Sequence, residues 1–421
     1  MLATAAFPPL ARVSDSMVID RGRGSLIWDS AGTEYIDFAS GVLVLAAGHA
    51  DPRIAEAVGA QASRLTNCYA HDTDVRYALA DAVLETTGGD LDQVFFMSTG
   101  SESIDAALKI ARAVTGRHGV VTFSGAFHGK TASAVTLGGE TRIRDVFGSN
   151  VAGPVVRALF PNSYRWPFPG DVDTTALDFL EAQIQAEGSQ RLGAILLEPF
   201  LGAGGVIAAS PGFMRGLRVL ADRYGLLLIV DEIQSGLGRG GDLWSHRATG
   251  VVPDILLGAK HLGGGLPIVA LMSRREIFEQ IPAGTLTSTF GGNPLSCAAG
   301  LAMLSIFGTD DLLGQGRRNA EIVAGQLAQW EHDYDIVGQG RNAGLSCGIE
   351  LVTLGTAAPA PELAARAKSA AAARGLLTMP AAGTHGNVVR FGPALNIPPE
   401  LLRSGLDRLG SVLEELQHAV A

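Results

Sequence analysis

Cysteine is scarce in this chain. Cys68, Cys297 and Cys347 are its three cysteines in 421 residues, and none of them stands in CxxC spacing, which argues against a disulfide framework or a structural zinc site. A reducing, cytoplasmic setting is the expectation. Charge is also sparse, at 18% of residues. With 32 Lys and Arg against 42 Asp and Glu, the net charge is −10 and no basic run occurs, so nucleic acid and anionic membrane are poor partners. No stretch of 18 apolar residues occurs, and Met1 to Pro9 lack the basic and apolar regions of an export signal, which predicts neither a leader nor a membrane span. Aromatic residues are few at 6%, yet 47% hydrophobic residues suffice for an ordinary core. Glycine alone is in excess, with 54 residues and no collagen-like period, which marks turns and close backbone approaches.

Short apolar runs bounded by Gly, Pro or acids alternate with helical patterns. Residues 24–38 predict a hairpin turning at Asp29 to Gly32. Helices are expected over Ile54 to Leu65 and Tyr77 to Thr86, and strands at Val94 to Met97, Gly119 to Phe123, Ala194 to Leu197, Leu226 to Val230 and Val269 to Met272. Such alternation implies an α/β fold around a largely parallel, covered sheet. The aromatic- and Pro-rich segment Pro154 to Asp173 is expected to be a structured loop. Beyond residue 310 the pattern becomes α+β: helices from Leu312 to Trp330, over Ala364 to Ala373 and from Pro399 to Val420, with strands at Leu345 to Leu351 and Val388 to Phe391.

Three runs point to chemistry. Leu226 to Val230 is a buried strand that ends in Asp231 and Glu232, the place where a carboxylate meets a ligand cation or a protonated ring nitrogen in an open α/β sheet. A helix cap or a salt bridge explains Asp231 equally well. Lys260 lies between the apolar run Ile255 to Leu257 and Gly263-Gly264-Gly265. Walled by small residues, its amine loses hydration, its pKa falls, and it becomes a nucleophile or Schiff-base former; a surface lysine on a Gly-rich turn is the alternative. Ser98-Thr99-Gly100-Ser101 follows a strand and opens the helix Ile104 to Ala113, where free N–H groups suit a phosphate or are simply capped. Gly236-Leu237-Gly238-Arg239-Gly240-Gly241 satisfies GxGxxG but is separated from the strand end by Glu232 to Ser235 and opens no helical pattern, so a dinucleotide site is discounted.

In order and spacing, Gly100-Ser101-Glu102, Phe127-His128-Gly129, Glu198-Pro199, Asp231-Glu232-Ile233-Gln234, Ala259-Lys260-His261-Leu262-Gly263-Gly264-Gly265 and Thr289-Phe290-Gly291-Gly292-Asn293-Pro294 resemble the class III aminotransferases. These are fold type I pyridoxal 5′-phosphate (PLP) enzymes that include the 4-aminobutyrate and other ω-amino-acid transaminases. The resemblance runs from about Gly24 to Arg390. It implies a large PLP-binding domain over residues 50–310 with a mostly parallel seven-stranded sheet. A smaller α+β domain is expected from residues 311–421, with residues 1–49 packed against it.

The same resemblance assigns roles. Lys260 is the Schiff-base lysine and proton carrier, Asp231 the partner of the pyridinium nitrogen, and Gln234 the partner of the phenolic oxygen. Phe127 stacks on the ring, His128 and Glu198 join the cofactor contacts, and Gly100 and Ser101 hold the phosphate with Thr289 from a second subunit. A homodimer, alone or paired into a tetramer, follows. Substrate contacts are Val42, Lys130, Glu198 and Arg390. Arg390 takes the α-carboxylate of glutamate or 2-oxoglutarate, and Glu198 masks it for donors that lack one. A small-molecule amino donor and a keto acid are then the partners, with an ω-amino acid or related amine delivering its amino group to 2-oxoglutarate or pyruvate by ping-pong. A decarboxylating transaminase like dialkylglycine decarboxylase, or an amino-acid racemase, is the alternative.

The chain departs from the family pattern at several places. Lys130 replaces an arginine, Leu201 and Ala203 replace Gln and Glu, Asn342 replaces Gly, and Ala394 replaces Pro. A more apolar pocket and a longer or less polar donor are the expectation.

Overall fold

The apolar runs between residues 93 and 273 form one seven-stranded sheet in the computed structural model, which describes residues 17–139, 144, 146, 148 and 151–420. Its strands are β1 (Gln93–Met97), β2 (Gly119–Phe123), β3 (Val155–Ala158), β4 (Leu192–Leu197), β5 (Leu227–Glu232), β6 (Ile255–Gly258) and β7 (Val269–Ser273). They lie in the order β1-β7-β6-β5-β4-β2-β3, and β7 alone runs antiparallel to its neighbours. The interior strands are buried on both faces, as continuous Leu, Ile and Val runs require. Each such side chain contributes about 1.5–3 kcal/mol of burial.

Register decides what meets at the strand ends. Val230 pairs with Leu197 and Asp231 with Leu257, so Glu198, Asp231 and the turn after Gly258 reach the same edge of the sheet. Helix α1 (Gly100–Thr115) leaves β1 at that edge and lays Ile104, Leu108 and Ala111 against the sheet.

Outside this sheet, Val337–Ala343, Ser346–Leu351 and Val388–Phe391 form an antiparallel three-stranded sheet. The expected hairpin forms as Leu26–Asp29 and Glu34–Asp37. Asp29 Oδ1 accepts the N–H groups of Ala31 and Thr33, and Gly32 takes a φ of +85°. Glu34–Asp37 also pairs with Leu376–Leu377, so the N-terminal and C-terminal parts of the chain share a sheet.

Several expectations need correction. Pro154 to Asp173 is not wholly loop, because Val155–Ala158 is the edge strand β3 and Ser163–Arg165 a short 3-10 turn. Strand β5 contains Asp231 and Glu232 rather than ending at Val230. Helix Pro294–Thr309 was not anticipated; it packs between helices Pro52–Ala62 and Asp74–Glu85, apolar on nearly every side, so no amphipathic period marks it. Residues Met1 to Pro9 lie outside the described residues. Among the described residues no single helix is long and apolar enough to cross a membrane.

Candidate active site

A cavity of about 600 Å³ opens where the strand ends meet the segment 380–390. Phe127, Gln234 and Lys260 line it from the sheet side, and Val42, Lys130, Ala203, Thr384 and Arg390 from the other walls.

Asp231, His128 and Glu198 form a buried polar cluster at the strand ends, around Phe127. Asp231 is 4% exposed; its Oδ2 accepts from His128 Nδ1 at 2.8 Å and its Oδ1 from the Ile233 N–H at 3.0 Å. Because a carboxylate only accepts, His128 carries its proton on Nδ1, and the buried Nε2 has no partner among the described residues. Glu198 is equally enclosed. Its Oε1 accepts the Phe127 N–H at 2.8 Å and its Oε2 the Gly202 N–H at 3.0 Å. Burial pushes its carboxyl up to about 7, reinforced by Asp231 and opposed by His128 and the two backbone donors.

Lys260 starts a 3-10 turn directly after β6. Its Nζ donates a long hydrogen bond, 3.5 Å, to Gln234 Oε1. Burial pulls the amine down to about 8, helped by the neighbouring Arg390 and Arg239 and opposed by Glu198 and Asp231. An amine in this range supplies its neutral, nucleophilic form near neutral pH. The environment of Lys260 is thus that of a reactive amine.

At the start of α1, Thr99 Oγ1 accepts the Glu102 N–H, and Glu102 Oε2 accepts the N–H groups of Ser98 and Thr99. This capping box leaves the N–H groups of Gly100 and Ser101 at the open helix end, an anion seat. The Ser101 hydroxyl is engaged, accepting the Lys130 N–H at 2.9 Å. Gly129, at φ +121°, lies against that hydroxyl, and a side chain there would overlap it. Capping and anion binding are therefore compatible, Thr99 doing the first and its two followers free for the second.

Arg390, 7% exposed, donates from Nη1 to Gln234 Oε1 at 3.2 Å. One amide oxygen thus accepts from both Lys260 and Arg390. A Cβ on Gly202 would overlap the Gln234 amide, so the glycine fixes how closely Gln234 approaches. Glu198 has both oxygens on backbone N–H groups, which ties it to the Phe127 and Gly202 loops. The position that faces the cavity in that loop is Ala203. Lys130 is exposed at the rim. Val42 projects into the cavity from a stretch in which Ser40, Gly41, Val42 and Leu43 all have φ between 45° and 65°, a left-handed turn that costs a β-branched residue about 1–2 kcal/mol. Asp37 Oδ1 holds this turn through the N–H groups of Ala39 and Ser40. Thr289 does not reach the cavity of its own chain; it is exposed beside Phe290, which is 62% exposed.

These groups match a PLP-sized ligand: an anion seat at α1, a flat ring at Phe127, a buried carboxylate and a reactive amine. The family comparison decides the matter, since the model of the class III aminotransferases matches residues 10–413. The chain belongs to the class III aminotransferases. It is 35% identical over 407 residues to a 5-aminovalerate aminotransferase of Pseudomonas aeruginosa, covering 95% of this chain and 94% of that one. To a 2-aminoadipate transaminase of Pseudomonas putida it is 34% identical over 411 residues, with 95% and 96% covered. Among solved structures, a PLP-bound amine transaminase from an uncultivated Pseudomonas species superposes with a TM-score of 0.90 at 28% identity over 99% and 98% of the two chains. The taurine:2-oxoglutarate aminotransferase of Bifidobacterium kashiwanohense, in complex with PLP and glutamate, gives 0.91 at 27% identity over 97% and 94%. This aminotransferase is accordingly a PLP enzyme of α/β fold type I.

Arg239, in the Gly-rich run Gly236 to Gly241, is fully buried and donates to His261, the residue after Lys260.

Proposed function

We propose that the protein transfers the amino group of an ω-amino acid or related amine to 2-oxoglutarate or pyruvate in two ping-pong half-reactions. The observation that supports this most directly is the shared Gln234 oxygen, 3.5 Å from Lys260 Nζ and 3.2 Å from Arg390 Nη1. It brings a proton-carrying amine and a carboxylate-binding fork to one small group, as an α-amino or α-keto acid needs. PLP, when bound, supplies the electron sink.

The chain's own groups do the rest. The N–H groups of Gly100 and Ser101 take the phosphate, completed by Thr289 of the partner subunit in a homodimer. Phe127 covers one ring face, and Asp231, oriented by His128, holds the ring nitrogen's proton. Lys260 carries the cofactor and, once displaced, moves the proton at the reacting carbon. Arg390 binds the α-carboxylate of the keto acid. For a donor without one, Glu198 masks the guanidinium, and Gln234 Oε1 also accepts from it. Val42, Ala203 and the methylenes of Lys130 give the donor an apolar passage with one cation at its rim, which suits a chain of about five carbons, in keeping with the 5-aminovalerate relative. Residues 50–310 act as the cofactor domain and 311–421, with 1–49, as the smaller domain. A reducing cytoplasm keeps Cys68, Cys297 and Cys347 as free thiols.

The test is to add 5-aminovalerate, 4-aminobutyrate and glutamate separately to PLP-loaded protein without keto acid. Loss of the visible band with glutamate and with 5-aminovalerate supports the reading. A response to neither, or release of carbon dioxide in place of amino transfer, contradicts it.

A further inference from the structure

The run Gly236-Leu237-Gly238-Arg239-Gly240-Gly241 buries the one arginine that is 0% exposed among the described residues. Two tight turns make this possible, with Gly238 at φ +84° and Gly241 at +98°. Arg239 Nε donates to His261 Nε2 at 3.2 Å, one residue beyond Lys260. His261 Nδ1 in turn donates to the Leu237 carbonyl at 2.6 Å, which fixes the tautomer and leaves Nε2 free to accept. Arg239 Nη1 donates to the carbonyls of Leu345 at 3.2 Å and Pro393 at 2.7 Å. Pro393 lies three residues past Arg390, and Leu345 precedes the strand Ser346–Leu351 that pairs with the Arg390 strand. Gly344 packs so closely on the Arg239 carbonyl that a Cβ there would overlap it. One planar fork therefore ties the Lys260 turn of the central sheet to one end of the sheet that carries Arg390.

Its charge is as unusual as its position. No carboxylate pairs with Arg239 among the described residues, and Nη2 has no partner there. The charged or titratable groups that act on it are Asp37 and Cys347, and His261 stays neutral beside it. Four charged groups act on Lys260: Arg390 and Arg239 on the cationic side, Glu198 and Asp231 on the anionic.

We infer that Arg239 is a positioning residue for the transamination: its fork sets the spacing between Lys260 and Arg390, and its uncompensated charge favours the neutral form of the Lys260 nitrogen. This rests on the reaction proposed above. Burial and then Arg390 lead the lowering of the Lys260 pKa, and Arg239 acts in the same direction as the smallest contribution.

The experiment compares wild type, Arg239→Gln and Arg239→Lys as PLP-loaded protein. It reads the pH at which the visible band titrates, the KM and kcat for glutamate, and the melting temperature. Arg239→Gln removes charge and fork; the band should titrate about one pH unit higher and KM should rise about tenfold, more than kcat falls. Arg239→Lys keeps the charge without the fork, so its titration should return to within about 0.3 of wild type while KM stays raised. A purely structural role predicts that both variants melt lower with the titration unmoved. Unchanged titration in Arg239→Gln, equal titration in both variants, or an unchanged KM in both overturns the inference. A wild-type band that still responds to glutamate shows that the transaminase reading survives such an outcome.

Discussion

The floor of the cavity and its outer wall are built from different materials. Asp231, Glu198 and Lys260 stand at or just beyond the ends of neighbouring strands whose register is set by fully buried Leu, Ile and Val residues. Both carboxylates have each oxygen engaged. Lys130, Thr384 and Val42 stand instead on loops and turns, with Lys130 and Val42 exposed. A floor of this kind holds reacting atoms to a fraction of an ångström, whereas a wall of this kind admits variation without disturbing them. Two of the departures from the family pattern, Lys130 and Ala203, lie in the wall.

The sharpest way to break the comparison is at the floor. Lys260→Ala should lower turnover by about a thousandfold or more with unchanged circular dichroism, since both the covalent attachment and the proton carrier are lost. Asp231→Asn should cost about a hundredfold in kcat/KM, because the amide holds no negative charge against the ring nitrogen. A pH series sharpens the account. Only the neutral amine captures an aldehyde, so cofactor capture by PLP-free protein should rise about tenfold per pH unit below pH 8 and level off above it, followed by absorbance. Gly202→Ala should cost about tenfold in kcat/KM for glutamate by pushing the Gln234 amide away from Lys260 and Arg390. At the wall, Lys130→Met should raise KM for 5-aminovalerate only about threefold and leave kcat for glutamate unchanged, measured in the same assay.

The floor was legible in the sequence because its signals are physical. A run such as Leu226 to Val230 can only be a buried strand, and carboxylates at its end demand a partner. A lysine between an apolar strand and three glycines is stripped of water. What the sequence could not show was pairwise geometry. That Glu198 accepts from the backbone of Phe127 and Gly202 has no sequence signal. Arg239 was hidden because its partners, His261, Leu345 and Pro393, are 22 to 154 residues away. Helix Pro294–Thr309 went unread because burial on most sides erases the amphipathic period on which helix reading depends. Strand β3, at the sheet edge and only four residues long, is too short to stand out from the Pro- and aromatic-rich segment around it.

The measurement that tests the central claim most directly is to fix the bound cofactor by borohydride reduction, digest the protein and locate the modified lysine by mass spectrometry. The account predicts a single modified residue, Lys260, with labelling lost in Lys260→Ala. Modification at Lys130 or any other lysine, or none in protein that has taken up the cofactor, would contradict it.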